Sequence, residues 1–441
     1  MNKLLTKKNV VYLIFSLIIF SFFQGFYQNE NSTGAGGYNG DIIWILENIE
    51  IFKNNNLKDA IFNDNLFGNR TPLIYIINDF INPFFYEYEK YRVVTFLLSL
   101  AGPFLIYFCL KTRFQHTDKE LIILLSSLIL LSPYYRTSAY WALNENYGII
   151  TSVISLLFLN LYFNKIKEIN LRNIYLFSII LFSSLSVYFD QKFLIITMIC
   201  FFNIINSKIE IKLKFYTFFT YIFLSIPYLF LIFEWNGIVP PKTQDANVNT
   251  ITNLSRFKDF YIYHLGYVST IIGFYIFPFL FLKEKNFFKI IQDFFSSKKS
   301  IIIVIIPLIY ILYMYLILDF KSFTVDNYWI GLGIVKKTAD IFFYNIHVKE
   351  LFTYLIFFLS WIVICLYIEE LTDYIILSFF FFLSLIIWPL MQEYFDPIIV
   401  LIVLMIFKTK IKINYSNLFF LIFYFSTFLI VANIYYLNII N

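Results

Sequence analysis

Apolar residues in this chain come in long blocks, separated by short polar stretches rich in Lys, Asn and Tyr. We read thirteen blocks: 9–26, 91–110, 120–133, 148–163, 173–189, 193–206, 215–233, 263–282, 300–318, 350–368, 373–389, 396–407 and 417–437. Crossing roughly 30 Å of hydrocarbon takes about 17–25 residues of helix, and most blocks have that length. The short blocks 120–133 and 396–407 read as tilted, broken or partly re-entrant, which sets the expected count at eleven to thirteen spans. The predicted fold is all-α: one integral membrane domain over residues 1–441, built as a polytopic transmembrane helical bundle. The first block is long and no small-residue cleavage site follows it, so it is read as an uncleaved first helix rather than a signal peptide.

The polar stretches between blocks differ in charge, and this assigns them to sides. With the N-terminus placed in the cytoplasm, the segments 2–9, 111–119, 164–172, 207–214, 283–299, 369–372 and 408–414 face inward. They hold 20 of the 34 Lys and Arg residues, as cytoplasmic loops should; only the acidic 369–372 dissents. The remaining loops then lie outside. Residues 27–90 form the longest, and 134–147, 190–192, 234–262, 319–349 and 390–396 follow. Any active site is expected on this outer face.

Composition strengthens the class and adds little else. The chain is 59% hydrophobic and 14% charged, against about 25% charged in soluble domains. Cys109, Cys200 and Cys365 fall inside or at the edge of apolar blocks and read as small hydrophobes. Three scattered His suggest no metal cluster, and no metal ligands are assigned. No phosphate-binding Gly-rich loop, nucleophile elbow, HExxH or CxxC pair is present, and no nucleic acid partner is expected.

The candidate chemistry lies in the outer loops. In 41–53, DIIWILENIEIFK, the apolar positions follow helical spacing with one polar edge, which predicts an amphipathic interfacial helix beginning at Asp41. An acid at a helix start is also favoured by capping and the helix dipole, so capping and catalysis are both open for Asp41. In NRTP, Pro72 starts a helix over 72–80, and Arg70 is either a solvated loop residue or a phosphate ligand. In SPYYRTSAYWALNEN, Pro133 breaks the preceding block, and Arg136, Trp141 and Glu145 follow at roughly helical spacing. Asp190 and Lys192 flank Gln191 in a tight turn. A second interfacial helix is expected in GIVKKTADIFFYNIH.

These segments together resemble a GT-C-type glycosyltransferase, an integral membrane enzyme using polyprenyl-phosphate-linked sugars on the non-cytoplasmic face. The resemblance is one of layout over most of the length. It rests on GYNGDIIW after the first span, the PLIY re-entry at 72–75, LSPYYRTSAYWALNEN, and the late QEYFDP turn. Many members have an Arg-Tyr-Pro-like turn at that last position; this chain has Gln392, Glu393 and Tyr394 without Arg. The paired acids usual after the first span are reduced to Asp41, which is followed by Ile.

The resemblance implies an enzyme of a bacterial inner membrane with a periplasmic active site, and a sugar transfer, inverting or retaining, with Asp41 as general base and Asp64, Glu145 and Asp190 as alternative acids. Arg70, Arg136 and Lys192 become candidate donor-phosphate ligands. Trp141, Trp235, His264, Gln392, Glu393 and Tyr394 become candidate sugar or lipid contacts. The implied partners are a polyprenyl-phosphate-linked sugar donor, a lipid-linked glycan acceptor and membrane lipids. Families of this type divide over a divalent cation, which is left open as a cofactor. The rival readings are a polysaccharide polymerase or ligase, and a lipid-linked glycan flippase or transporter. A transporter would bury charge mid-span and show repeat symmetry.

Overall fold

The protein is seen in a computed structural model that describes residues 7–33, 37, 40–68, 70–164, 169–246, 260–296, 298–318, 320–321, 331–387 and 389–440. Part of the GYNG motif (38–39), Trp388 of the late turn, and stretches 247–259 and 322–330 of two expected outer loops lie outside these residues. The described residues form helices and no named strand, with a single isolated bridge between Lys283 and Ile411. Nine of the helices are long and apolar enough to cross a membrane. The chain is an integral membrane protein with a polytopic helical fold.

That count, or ten if a bent pair of helices forms one span, falls below the expected eleven to thirteen among the described residues, and four blocks account for the difference. Block 120–133 joins Pro133–Tyr140 as a pair of helices bent by 70°. Pro133 sits in the first turn, with Ser132 as the N-cap accepting from Tyr135 N at 3.0 Å. Blocks 193–206 and 373–389 form the shorter helices Leu194–Ile205 and Leu371–Ser384. Block 396–407 yields only Ile398–Met405, whose eight residues are all buried. Its apolar sequence serves a protein interior rather than lipid.

The chain divides into two compact units, residues 1–254 with 422–441, and residues 255–421. In the first, α1 (Lys7–Tyr27) leads through a connecting segment to α2 (Asp41–Asn54), α3 (Leu57–Ile61) and α4 (Leu73–Ile81). The apolar face of α2 buries Ile45, Asn48, Ile49 and Phe52, the helical repeat expected from sequence. Helices α5 (Tyr88–Ser99), α6 (Ala101–Arg113), α7 (Lys119–Ser126), α8 (Pro133–Tyr140) and α9 (Glu145–Asn164) follow. Helices α10 (Ile169–Phe189), α11 (Leu194–Ile205), α12 (Ile211–Trp235) and α13 (Pro241–Ala246) complete the run.

Helix α12 carries Pro227 in its interior, which removes one backbone donor. At the next rung the Tyr188 hydroxyl accepts from Tyr228 N–H at 3.3 Å and donates to the Leu224 carbonyl at 2.5 Å. It stands between groups that would bond directly in an unbroken helix.

In the second unit, α14 (His264–Ile276) is buried along nearly its whole length and packs on Ile346–Tyr367. Gly266 permits this approach, since a Cβ there would strike the Phe357 ring. Asp373 is fully buried and accepts from Lys408 N, Thr409 N and Thr409 Oγ1, each at 2.9 Å. The second expected interfacial segment is helical over Gly333–Phe342.

Candidate functional site

Arg70 lies in the short loop between α3 and α4, and neighbouring residues fix that loop from three directions. Asn48 of α2 accepts from Phe67 N at 3.0 Å and donates to Phe67 O at 2.5 Å, and it also donates to the Tyr75 hydroxyl. Thr243 of α13 accepts from Gly68 N at 2.8 Å and donates to Gly68 O at 3.1 Å. Gly68 itself has φ +134°, a conformation suited to glycine. Thr71 donates to the Tyr188 carbonyl at the end of α10. A loop held on both faces presents its side chain as firmly as a helix would.

The guanidinium of Arg70 meets three carboxylates from distant parts of the chain. It pairs with Glu145 at the start of α9, reaches Asp190 at 3.4 Å just after α10, and faces Asp41 at 4.0 Å at the start of α2. Lys192 closes the group. Its ammonium lies 3.4 Å from Asp190, donates to the Tyr134 hydroxyl at 2.8 Å, and sits 4.0 Å from the centre of that ring. Tyr134 donates onward to Glu145 Oε1 at 2.5 Å. The result is a chain of bonds from Lys192 through Tyr134 and Glu145 to Arg70, with Asp190 and Asp41 on its flanks.

Glu145 is completely buried, and its second oxygen, Oε2, lacks a hydrogen-bond partner among the described residues. Asp41 is recessed but keeps 20% of its side-chain surface, which makes it the group that a small hydroxyl can reach. Burial raises the Asp41 pKa above the usual 3.8; Arg70 and Lys192 oppose the rise and Asp190 adds to it. For Arg70, burial works against the charged form, yet the acids Asp190 and Asp41 more than offset it and hold the guanidinium charged. With every group ionised the cluster carries three negative and two positive charges. Among the described residues, no group of three or more His, Cys, Asp or Glu is placed to hold a metal ion.

Five residues singled out from sequence therefore come together: Asp41, Arg70, Glu145, Asp190 and Lys192. Asp41 is the first residue of α2, preceded by Gly40 at the cap position, so its carboxylate is not the N-cap. The sixth member, Tyr134, was not a candidate from sequence; it lies in the first turn of α8, a helix buried along its whole length.

The other candidates of the first unit lie outside this cluster. Arg136 does not pair with Glu145, because α8 ends at Tyr140 and Ala142 turns the chain with φ +55° before α9 begins. It is buried and bonded to Glu30 Oε1 and Oε2 at 2.8 and 2.7 Å, and to the Leu130 and Ser21 carbonyls. This is a structural ion pair joining α8 to the end of α1, with no free edge for a phosphate. Trp141 is buried, donates to Glu30 O, and packs 4.5 Å from the Arg92 guanidinium. Trp235 is buried, and Asp64 is exposed. In the second unit, a His264 ring nitrogen lies 2.7 Å from the Ser384 carbonyl oxygen, and Gln392 donates to the Tyr275 hydroxyl. Glu393 lies near Lys337, whose pKa burial lowers to about 8 against the opposing pull of Glu393. Tyr394 lies in the same short turn. Compared with known protein families, curated proteins and solved structures, the chain matches none.

Proposed function

We propose that the protein is a membrane glycosyltransferase that moves a sugar from a polyprenyl-phosphate donor to a lipid-linked or surface glycan acceptor outside the cytoplasm. Asp41 is the general base. It takes the proton of the acceptor hydroxyl as that oxygen bonds to the anomeric carbon. The bond from that carbon to the phosphate oxygen breaks, and its electron pair leaves with the phosphate. A carboxylate with a raised pKa is a stronger base than one in water, which suits the role.

The observation that carries this reading is the convergence of Asp41, Glu145 and Asp190 on Arg70, with Asp41 the most exposed of the three acids. Arg70 and Lys192 are matched by acids in the resting site. When Asp41 takes up the proton, the cluster passes from one net negative charge to neutrality. With one fewer carboxylate opposing them, the two cations attract the departing phosphate more strongly at the step where it is needed.

The position of the cluster favours an enzyme over a carrier. Glu145 opens one candidate span, and Asp190 directly follows another. The charges thus gather at the ends of spans, whereas a carrier binds its cargo near the midplane.

The test is mass spectrometry of surface and lipid-linked glycans in cells lacking the protein and complemented with wild type or Asp41→Asn. Wild type should restore one missing sugar, and the variant, present at equal level, should not. Restoration by the variant would remove Asp41 as base. Accumulation of complete lipid-linked units in the deletion would replace transfer by polymerisation, ligation or export.

A further inference from the structure

The first unit contains a cleft of about 480 Å³ enclosed by α10, α11 and α12 and open on one side, a volume in the range of ligand sites. Its walls include Tyr188, Met198, Phe201, Tyr221 and Tyr228. Along α12 it reaches from Phe218 to Tyr228, about 15 Å at 1.5 Å per residue, or half the hydrocarbon thickness. Helix α12 is an apolar candidate span that fully buries few of its residues in the protein, which places the open side of this cleft towards lipid in a membrane-embedded chain.

One end of the cleft leads directly to the charged cluster. Tyr188 lines it, and Asp190 follows two residues later. The Tyr228 hydroxyl and the Gln191 amide both donate to the Ile238 carbonyl, at 3.4 and 2.8 Å. The wall residue Tyr228 is thereby fastened to the turn that carries Asp190 and Lys192. The Tyr188 hydroxyl, set into α12 beside Pro227, fixes the opposite wall, while its carbonyl holds Thr71 next to Arg70.

We infer that this cleft takes the hydrocarbon chain of the polyprenyl-phosphate donor, with the first isoprene units against Tyr188 and Tyr228 and the phosphate at the Asp190–Lys192 turn. The inference rests on the proposed transferase reading. A chain lying here enters sideways from the bilayer, and its head arrives beside Asp41 without leaving lipid. The walls are mainly apolar and aromatic, and the hydroxyls of Thr197, Ser225, Tyr188 and Tyr228 among them are already bonded to backbone carbonyls, which suits a hydrocarbon chain better than a polar ligand.

The test is photolabelling of the full-length protein in native membranes with a polyprenyl phosphate bearing a diazirine in its first isoprene units. Labelled peptides are mapped by mass spectrometry, and a diazirine-tailed phosphatidylglycerol serves as the competing probe. Label should fall on residues of α10, α11 and α12 that face the cleft and be displaced by unlabelled polyprenyl phosphate. Ser225→Trp, which fills the cleft, should reduce labelling at least fivefold. Phe219→Trp, on an exposed position of α12 outside the cleft, should leave it unchanged and controls for folding. Displaceable label mapping elsewhere would overturn the cleft and leave the transferase reading in place. Label that polyprenyl phosphate fails to displace, with the phospholipid probe entering the cleft equally well, would overturn both.

Discussion

Replacing Arg70 by Gln is the most informative single perturbation of the cluster. Among the described residues, it removes the one guanidinium that faces Glu145, Asp190 and Asp41. Glu145 is fully buried and already has one unpartnered oxygen, so only the Tyr134 hydroxyl would remain to it. Arg70 is 17% exposed and Asp190 13%, so solvent screens these pairs little. Removing one member of a buried ion pair costs about 3–5 kcal/mol, because the other charge is stranded. At about 2 °C per kcal/mol for a domain of this size, Arg70→Gln should lower the melting temperature by roughly 6–10 °C. Unfolding in detergent can be followed by labelling of Cys109 and Cys200, both free and buried. The double variant Arg70→Gln/Glu145→Gln has no stranded charge at 145, and should recover at least half of the loss. Melting of the single variant within about 2 °C of wild type, or a double variant no better than the single, would refute the network.

Asp41→Asn should behave in the opposite sense. The native pKa of Asp41 is raised, so its contribution to stability is fully present below 3.8 and is lost as pH rises through the raised value. The variant should match wild type at pH 4, melt at or above it at pH 8, and lose about 100-fold or more in transfer rate; a melting temperature below wild type at pH 8 would restore a purely stabilising role. Arg136→Gln should cost about 3–5 kcal/mol through the stranded Glu30, recoverable in Arg136→Gln/Glu30→Gln, with the KM of the folded fraction unchanged; a raised donor KM would return Arg136 to the site. Gly148→Ala would drive a Cβ into the Phe193 ring beside Lys192. It should cost about 1–3 kcal/mol by overpacking, and Phe193→Leu in the same chain should relieve it, as read by the same melting assay.

The cluster was legible in sequence because charge is scarce there. Asp41, Arg70, Glu145, Asp190 and Lys192 each stand in a short polar stretch between apolar blocks, and such groups must find partners or water. Which charge met which was not legible. Arg136 and Glu145 are nine positions apart and look paired, yet the turn at Ala142 separates them. The real partner of Arg136, Glu30, lies more than a hundred residues away in a segment that reads as a plain polar linker. Asn48 shows a different limit: a polar residue on the apolar face of α2 looks like a flaw until the loop it bonds is in place. The span count erred where an apolar run reports burial without saying whether protein or lipid surrounds it, as for Ile398–Met405.

The distances along the chain between cluster members set a timetable for the protein's own birth. Arg70 is synthesised 75 residues before Glu145 and 120 before Asp190. At roughly 5–20 residues per second the guanidinium waits about 4–24 s for those two acids. Only Asp41 precedes it from the ribosome. Of the three carboxylates that Arg70 faces in the finished fold, Asp41 is therefore the one already made when the guanidinium emerges, long before it has any substrate to act on.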